Sequence, residues 1–502
     1  MKKLYRFSAI ALLVLPLVFT SCSDYLDRDD DDNITEADVF ARYEKVNGLV
    51  SDVYAAAKKA DRPLVFFEHF SNSAITDECE GTNVEGNITN NFNNGAWNPN
   101  SLPGSVGQYW EALYEGIRKA NLIIENVQKY NTPDNPQQDG DLRNRIGEMY
   151  FMRGYFHMLL LRMYGEAPYI DRVINAGDNM DFKKESVHSM VEKIVTDAQT
   201  AYGMVPNKYV KTSENFGRVD KGACLGLISF VRWVAATPLW NGASQYGYNL
   251  RRVFENEYAY DATRWRKAKE AAKAVLDFEV GGTKRYSLYT KHDANDFKDP
   301  ADGNLNDSRV YARLWDMFYD MDAFANEYVF FMTKSKDQAW QGDIYPPSRE
   351  GSSRQQPVQE QVDEYEYIVG DYGYPVYSAE ARKGGYDDTN PYVKGTRDPR
   401  FYRDVIYHGA PYRNNKNESK TINTASGSDK IGATNATTTG YYLRKFQQES
   451  WNKSGNFSIN APAIWRLPEF IYIYAEACNE LGEDIDEAYK LVNTVRERSF
   501  MK

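Results

Sequence analysis

The chain has 502 residues, with 60 Lys plus Arg against 71 Asp plus Glu and a net charge of −11. That length supports a large core, while an acidic balance excludes the counterion-release chemistry of a nucleic-acid binder and the attraction of an anionic membrane surface. The cysteines Cys22, Cys79, Cys224 and Cys478 are too scattered for a disulfide framework or a CxxC metal pair, and the five histidines lack metal-ligand spacing, which argues against a zinc enzyme.

Lys2, Lys3 and Arg6 precede an apolar run from Ala9 to Phe19, shorter than the roughly 20 residues that span a bilayer. The stretch Leu17-Val18-Phe19-Thr20-Ser21-Cys22 resembles a bacterial lipobox. Residues 1–21 are therefore expected to be a cleaved signal, with Cys22 as the lipidated first residue of the mature protein. Loss of the three basic residues moves the net charge from −11 to −14. Two or more acyl chains on one cysteine give stable anchoring, where a single chain is marginal. Residues 22–36, with Asp29 to Asp32 at their centre, read as a self-repelling acidic tether. A similar acidic stretch accompanies display on the exterior face of the outer membrane in some lipoproteins.

Helical periodicity then dominates residues 37–285. The predicted helices are Ala37 to Ala60, Ser105 to Val127, Leu142 to Tyr164, Ser186 to Met204, Lys221 to Ala236 and Ala262 to Val275. The third is apolar on nearly every side between Met149 and Leu161 and ends at Gly165 and Pro168, so it is expected to be central, with Gly147 and Gly154 admitting close neighbours. Antiparallel pairs with short connections give a mostly α, tetratricopeptide-like scaffold, although no clean 34-residue period survives.

Between residues 286 and 456 the character changes to a long, irregular, loop-rich insertion with few short strand-like runs, such as Tyr328 to Met332 and Asp404 to Tyr407. A long irregular insert in a helical protein is more often a binding surface than filler. A helix pair, Ala463 to Glu480 and Ile485 to Arg498, falls in residues 457–502.

The chemistry of bond cleavage has no clear carriers. No GxSxG elbow or P-loop occurs, and no pair of carboxylates stands out as the acid and base of a glycosidase. Asp77, Glu78 and Glu80 surround Cys79 on an expected loop, where solvation is the simpler account. The run Asp293 to Asp307 offers oxygen ligands of the kind calcium takes but misses the EF-hand register; otherwise no cofactor or metal is expected. Aromatic residues make up 14% of the chain, and Tyr (38) outnumbers Phe (24), so many rings need both an apolar contact and a hydrogen-bond partner. Sugar-stacking surfaces and tightly packed helical cores both use that chemistry.

Motifs spread from Cys22 to the last residues resemble the SusD/RagB family of outer-membrane nutrient-binding lipoproteins. They include Cys22-Ser23-Asp24-Tyr25-Leu26-Asp27, Trp110-x-x-Leu113-Tyr114, Tyr150-Phe151-Met152-Arg153-Gly154-Tyr155-Phe156 and Met163-Tyr164-Gly165-Glu166-Ala167-Pro168. Arg397-Asp398-Pro399-Arg400 and Trp465-Arg466-Leu467-Pro468-Glu469 continue the series. The resemblance implies a non-enzymatic surface lipoprotein that binds oligosaccharide or polysaccharide and delivers it to a SusC-like TonB-dependent transporter. Peptide capture, a lipid-anchored glycoside hydrolase and a purely structural docking scaffold are the alternatives. It also implies a ligand surface in two places. One is the turn-rich stretch holding Trp97; the other is the insert, with Trp340 and Tyr345; beside these, Trp315 is a further aromatic candidate and Asn100 and Asp77 are weaker polar candidates. The family continues past Asn493-x-Val495-Arg496 into a further helical segment, so the last helix pair is expected to lack a packing partner.

Overall fold

The computed structural model describes residues 35–60, 71–81, 88–98, 100, 104–130, 136–209, 214–243, 254–291, 314, 316–318, 320–332, 342–393, 395–413, 419–446 and 463–501. The expected signal, Cys22 and most of the acidic tether lie outside these residues, as do Trp315, Trp340 and the run from 293 to 307.

Chain order gives α1 (Glu36–Phe40), α2 (Tyr43–Ala60), β1 (Ile75–Thr76), β2 (Cys79–Gly81), α3 (Ile88–Asn93), α4 (Gly104–Tyr130), α5 (Pro136–Tyr164), α6 (Val187–Met204), α7 (Lys221–Ala236) and α8 (Ala262–Leu276). After these come β3 (Glu279–Val280), β4 (Thr283–Lys284), α9 (Met321–Asn326), β5 (Tyr328–Phe331), β6 (Gln355–Pro357), α10 (Gln359–Asp363), β7 (Tyr367–Val369), β8 (Tyr372–Tyr374) and α11 (Ala379–Lys383). The series closes with α12 (Pro399–Asp404), β9 (Val405–Ile406), β10 (Pro411–Arg413), β11 (Ser419–Thr421), β12 (Tyr442–Leu443), β13 (Ala463–Arg466), α13 (Leu467–Leu481) and α14 (Ile485–Arg498). The protein is thus mostly α, with most of its short strands, β5 to β12, in the loop-rich stretch.

Helices α4 to α8 pack each on the next, as a helical-pair array requires, and α13 returns against α8 and α7. On α4 the stripe Leu113, Ile117, Ala120, Ile124 and Val127 is buried, while α5 is buried almost continuously from Met149 to Leu161. Glycines set the closest approaches. A Cβ at Gly116 would lie 2.5 Å from the Phe156 ring, and one at Gly147 would lie 2.6 Å from the Met204 Cβ. Gly154 is different: an added Cβ there meets its nearest atom at 3.4 Å, an ordinary contact.

A buried polar knot ties α4, α5 and α6 together. Arg153 donates to both carboxylate oxygens of Asp197 (2.8 and 2.5 Å) and to Asn121 Oδ1 and the Asp171 carbonyl, each at 2.9 Å. Such a charge pair tolerates burial because its remaining protons and lone pairs are satisfied.

Four expectations change. The first predicted helix divides at Ala41 into α1 and α2, and α1 starts with a capping box between Thr35 and Asp38. The first helix of the final pair begins at Leu467, because Ala463–Arg466 pairs antiparallel with β5 as a strand and Pro468 occupies the first turn of α13. The final helix pair is packed: α13 sits on α8, and α14 buries Arg498, which donates to Glu327 at 2.9 Å. Finally, the loop-rich stretch enters the helical core, since Phe330 of β5 stands edge-on to Phe151 and Tyr155 of α5 at 5.0 and 5.4 Å. Among the described residues no helix is long and apolar enough to cross a membrane.

Candidate functional site

Short-range chemistry builds the first part of the site. In the β1–β2 hairpin, Ile75 opposes Glu80 and Thr76 opposes Cys79, which leaves Asp77 and Glu78 exposed at the turn. The Thr76 hydroxyl donates to the Ser73 carbonyl (2.9 Å) and accepts from the Glu78 amide (3.2 Å), fixing that turn. Strand β6 extends the hairpin to three strands, and Gln355 Oε1 accepts from both the amide and the hydroxyl of Ser71 at 2.8 Å. The loop-rich stretch is thereby stitched to the N-terminal part of the chain.

Helix α3 leans on this hairpin. The Asn93 amide donates to the Ala74 carbonyl (3.2 Å) and the Glu80 carboxylate (3.4 Å), and Phe92 packs onto the cluster of Ala74 and Val106. The Trp97 ring rests against Phe92 with centroids 5.1 Å apart, yet keeps 40% of its surface exposed. The Asn98 side chain accepts from the Asn100 amide at 2.9 Å, closing an Asx turn that leaves Asn100 outward. Trp97 and Asn100 thus lie in the turn-rich stretch that follows α3, and α3 packs on the hairpin whose turn carries Asp77.

Tyr345 belongs elsewhere. It is 2% exposed and packs with Ile406, Tyr412, Ile422 and Tyr442, edge-on to Tyr412 at 6.0 Å. Its ring is a core element of the loop-rich stretch, with no open face for a ligand.

Behind the hairpin lies a hollow of about 740 Å³ between that stretch and helices α7 and α13. Ser71, Cys79 and Gln355 line it at the hairpin end, and Trp233, Tyr472 and Glu476 line it on the helical side. Phe318 and Phe446 add rings, and Arg466, Lys445 and Glu469 contribute charged groups. Most of its polar walls are committed. The Asp404 carboxylate is held by Arg403 (2.6 Å for Nη2) and by the Tyr365 hydroxyl (2.8 Å). The Glu476 carboxylate accepts from the Trp233 indole at 2.7 Å, and Arg466 donates to Glu327 at 3.0 Å.

Burial shapes the ionisation of these groups. It pushes the Cys79 thiol up to about 12, with Glu78 adding to the effect, so this sulfur is a poor nucleophile at neutral pH. Burial also raises the Glu469 carboxyl to about 7, against the opposing pull of Arg162 and Arg466. The Lys445 ammonium is shifted down by burial, while Asp404 draws it back up. Asp404 itself stays below the usual carboxylate range: its burial opposes ionisation, but Arg403, Lys445 and the Tyr365 hydroxyl prevail. Among the described residues no group of three His, Cys, Asp or Glu could hold a metal ion.

Sequence reasoning did not reach Lys445 or Glu469. Glu469 closes the block Trp465-Arg466-Leu467-Pro468-Glu469, so its position after a helix-starting proline was a readable signal of a first-turn acid. Lys445 carries no such signal.

Comparison with known proteins adds the lineage. The family model described as starch-binding, associating with the outer membrane, matches residues 24–231, and that of the SusD family matches residues 322–502. SusD-like protein P2 of Formosa agariphila is 24% identical over 202 residues, 39% of this chain. The chain spans only 38% of the length of that relative. A SusD-like protein of Bacteroides fragilis superposes with a TM-score of 0.70 at 18% identity, covering 93% of this chain and 81% of that one. A SusD-like carbohydrate-binding protein of the same species gives 0.68 at 15%, covering 92% and 79%. A laminarin-binding SusD-like protein gives 0.53 at 17%, covering 91% and 84%. At these identities the structural likeness speaks for the fold.

Proposed function

The chain belongs to the SusD/RagB family, and from that premise we propose that it captures oligosaccharide or polysaccharide at the cell surface and passes it to a TonB-dependent outer-membrane transporter. The observation that carries this reading is Trp97, a ring braced by Phe92 and 40% exposed, in the stretch that follows α3, the helix that leans on the Asp77 hairpin. A sugar ring offers an apolar face of C–H bonds that stacks on such an indole, and Asn and Asp bond its hydroxyls. A preformed platform of this kind binds without paying to order itself, which suits a capture protein.

In this reading Trp340 and Trp315 extend the platform from the insert, and the ligand leaves chemically unchanged. Cys22 carries the lipid that holds the chain at the outer membrane, on the exterior face, with the acidic tether setting its height. Two measurements test these parts. A panel of polysaccharides cast into native gels should retard the intact protein without new reducing ends; new reducing ends would replace capture with hydrolysis. Cys22→Ala should release the chain from the membrane fraction and end its co-purification with a SusC-like transporter, and unchanged membrane attachment would remove the lipid from the account.

A further inference from the structure

Two charged groups in the hollow have no hydrogen-bonding partner among the described residues. Among the described residues the Glu469 carboxyl makes no hydrogen bond or ion pair, and the Lys445 ammonium makes only a cation–π contact with Phe446, at 5.3 Å. Their neighbours are accounted for. Asp404 is taken by Arg403 and Tyr365, Glu476 by Trp233, and Glu78 stands exposed at the rim. Arg466 acts electrostatically on both groups, and so links the two ends of the charged wall. Both side chains are half-buried, and a charge partly withdrawn from water with no hydrogen-bonding partner among the described residues would gain from a ligand that supplied one.

We propose that the hollow receives a short acidic oligosaccharide segment, with a uronate-type carboxylate seated against the wall formed by Lys445, Arg466 and Glu469. The proposal rests on the glycan-capture reading and names the chemical class that this compartment selects. About 740 Å³ falls within the range of small-ligand sites, and Phe318, Phe446 and Tyr472 provide rings against which sugar faces can lie. A cationic ligand would meet Lys445 and Arg466 head-on, and a neutral one would leave Lys445 with no hydrogen-bonded counter-charge, only the more distant pull of Asp404 and Glu78.

Proton linkage follows from the same geometry. With its pKa near 7, Glu469 carries its proton below neutrality and donates; above it, the carboxylate repels the ligand. The charges acting on it are Arg162 from α5 and Arg466 from β13, both of which favour the ionised form. Affinity for an acidic ligand is therefore expected to fall as pH rises through 7.

The test is calorimetric titration of the intact protein with trigalacturonate and, separately, maltotriose at pH 6 and pH 8. We expect trigalacturonate to bind at pH 6 and at least tenfold more weakly at pH 8. Lys445→Met should lower its affinity at least tenfold at both pH values, with Lys445→Arg restoring most of it and unchanged helical circular dichroism vouching for the fold. Glu469→Gln should keep the pH 6 affinity and lose the pH dependence. Equal binding of maltotriose, or trigalacturonate affinity indifferent to Lys445→Met, would overturn the proposal. Trp97-dependent retention of a neutral polysaccharide would then still support glycan capture. Conversely, Lys445-dependent trigalacturonate binding with no polysaccharide retained would keep the anion site and remove capture.

Discussion

His157 offers a sharp test of the helical scaffold. Its imidazole is fully enclosed, with Nδ1 2.8 Å from the Arg153 carbonyl and Nε2 accepting from the Ile170 amide at 3.0 Å. One nitrogen must then carry the proton and the other must not, so the ring is locked neutral. Burial lowers its pKa from 6.5 to about 3, and the nearby Arg153 and Lys193 charges act in the same direction. The unfolded chain takes up a proton as pH falls through 6.5, and the folded chain does not until about 3. Stability is therefore lost on acidification across that window. Between pH 7 and pH 5 the linkage amounts to about 2 kcal/mol from this one residue. His157→Phe removes the titration and keeps a ring stacked on Tyr169, whose centroid lies 3.7 Å away. The variant should lose about 1–3 kcal/mol at pH 7, because the Ile170 amide is left unsatisfied. Its further loss on going to pH 5 should be smaller than the wild type's by about 2 kcal/mol. Urea unfolding at both pH values, compared at equal m, reads the difference. Parallel pH dependence in the two proteins would refute the locked neutral ring.

Glu327 is fully buried and accepts from Arg466 (3.0 Å), Arg498 (2.9 Å) and the Tyr289 amide (2.6 Å). Glu327→Gln strands two guanidinium groups without a counter-charge and should cost about 3–5 kcal/mol, read as a lower urea midpoint. Cys79 should react with iodoacetamide at pH 8 about a thousandfold more slowly than a free thiol, because burial keeps it protonated; mass spectrometry of a timed labelling checks this. Gly116→Ala should destabilise the α4–α5 contact by about 1–3 kcal/mol, since the new methyl would lie 2.5 Å from the Phe156 ring. Thermal unfolding measures it.

The scaffold was readable because amphipathic stripes repeat with helical period and because caps punctuate them. Asp220 and Ser186, for example, bond the third amide beyond themselves. Ala463–Arg466 misled because Ile464 and Trp465 sit in helical phase with the stripe that follows, and only β5, more than a hundred residues earlier, makes them a strand. Trp97 was legible as a ring in a turn-rich stretch, where little can bury it. Tyr345 was not: its enclosure depends on Ile406, Tyr412, Ile422 and Tyr442, all from later segments. That Lys445 and Glu469 lack hydrogen-bonding partners among the described residues was invisible for a related reason. That lack follows from where Arg403, Trp233 and Glu327 spend their hydrogen bonds, and no local pattern encodes that.

The most direct measurement is native-gel retardation by a retained polysaccharide, comparing the intact protein with Trp97→Ala, alone and combined with Trp340→Ala, at matched helical circular dichroism. The account predicts that the single change weakens retardation and the double change abolishes it. Undiminished retardation in the double variant would contradict the claim that this face captures the glycan.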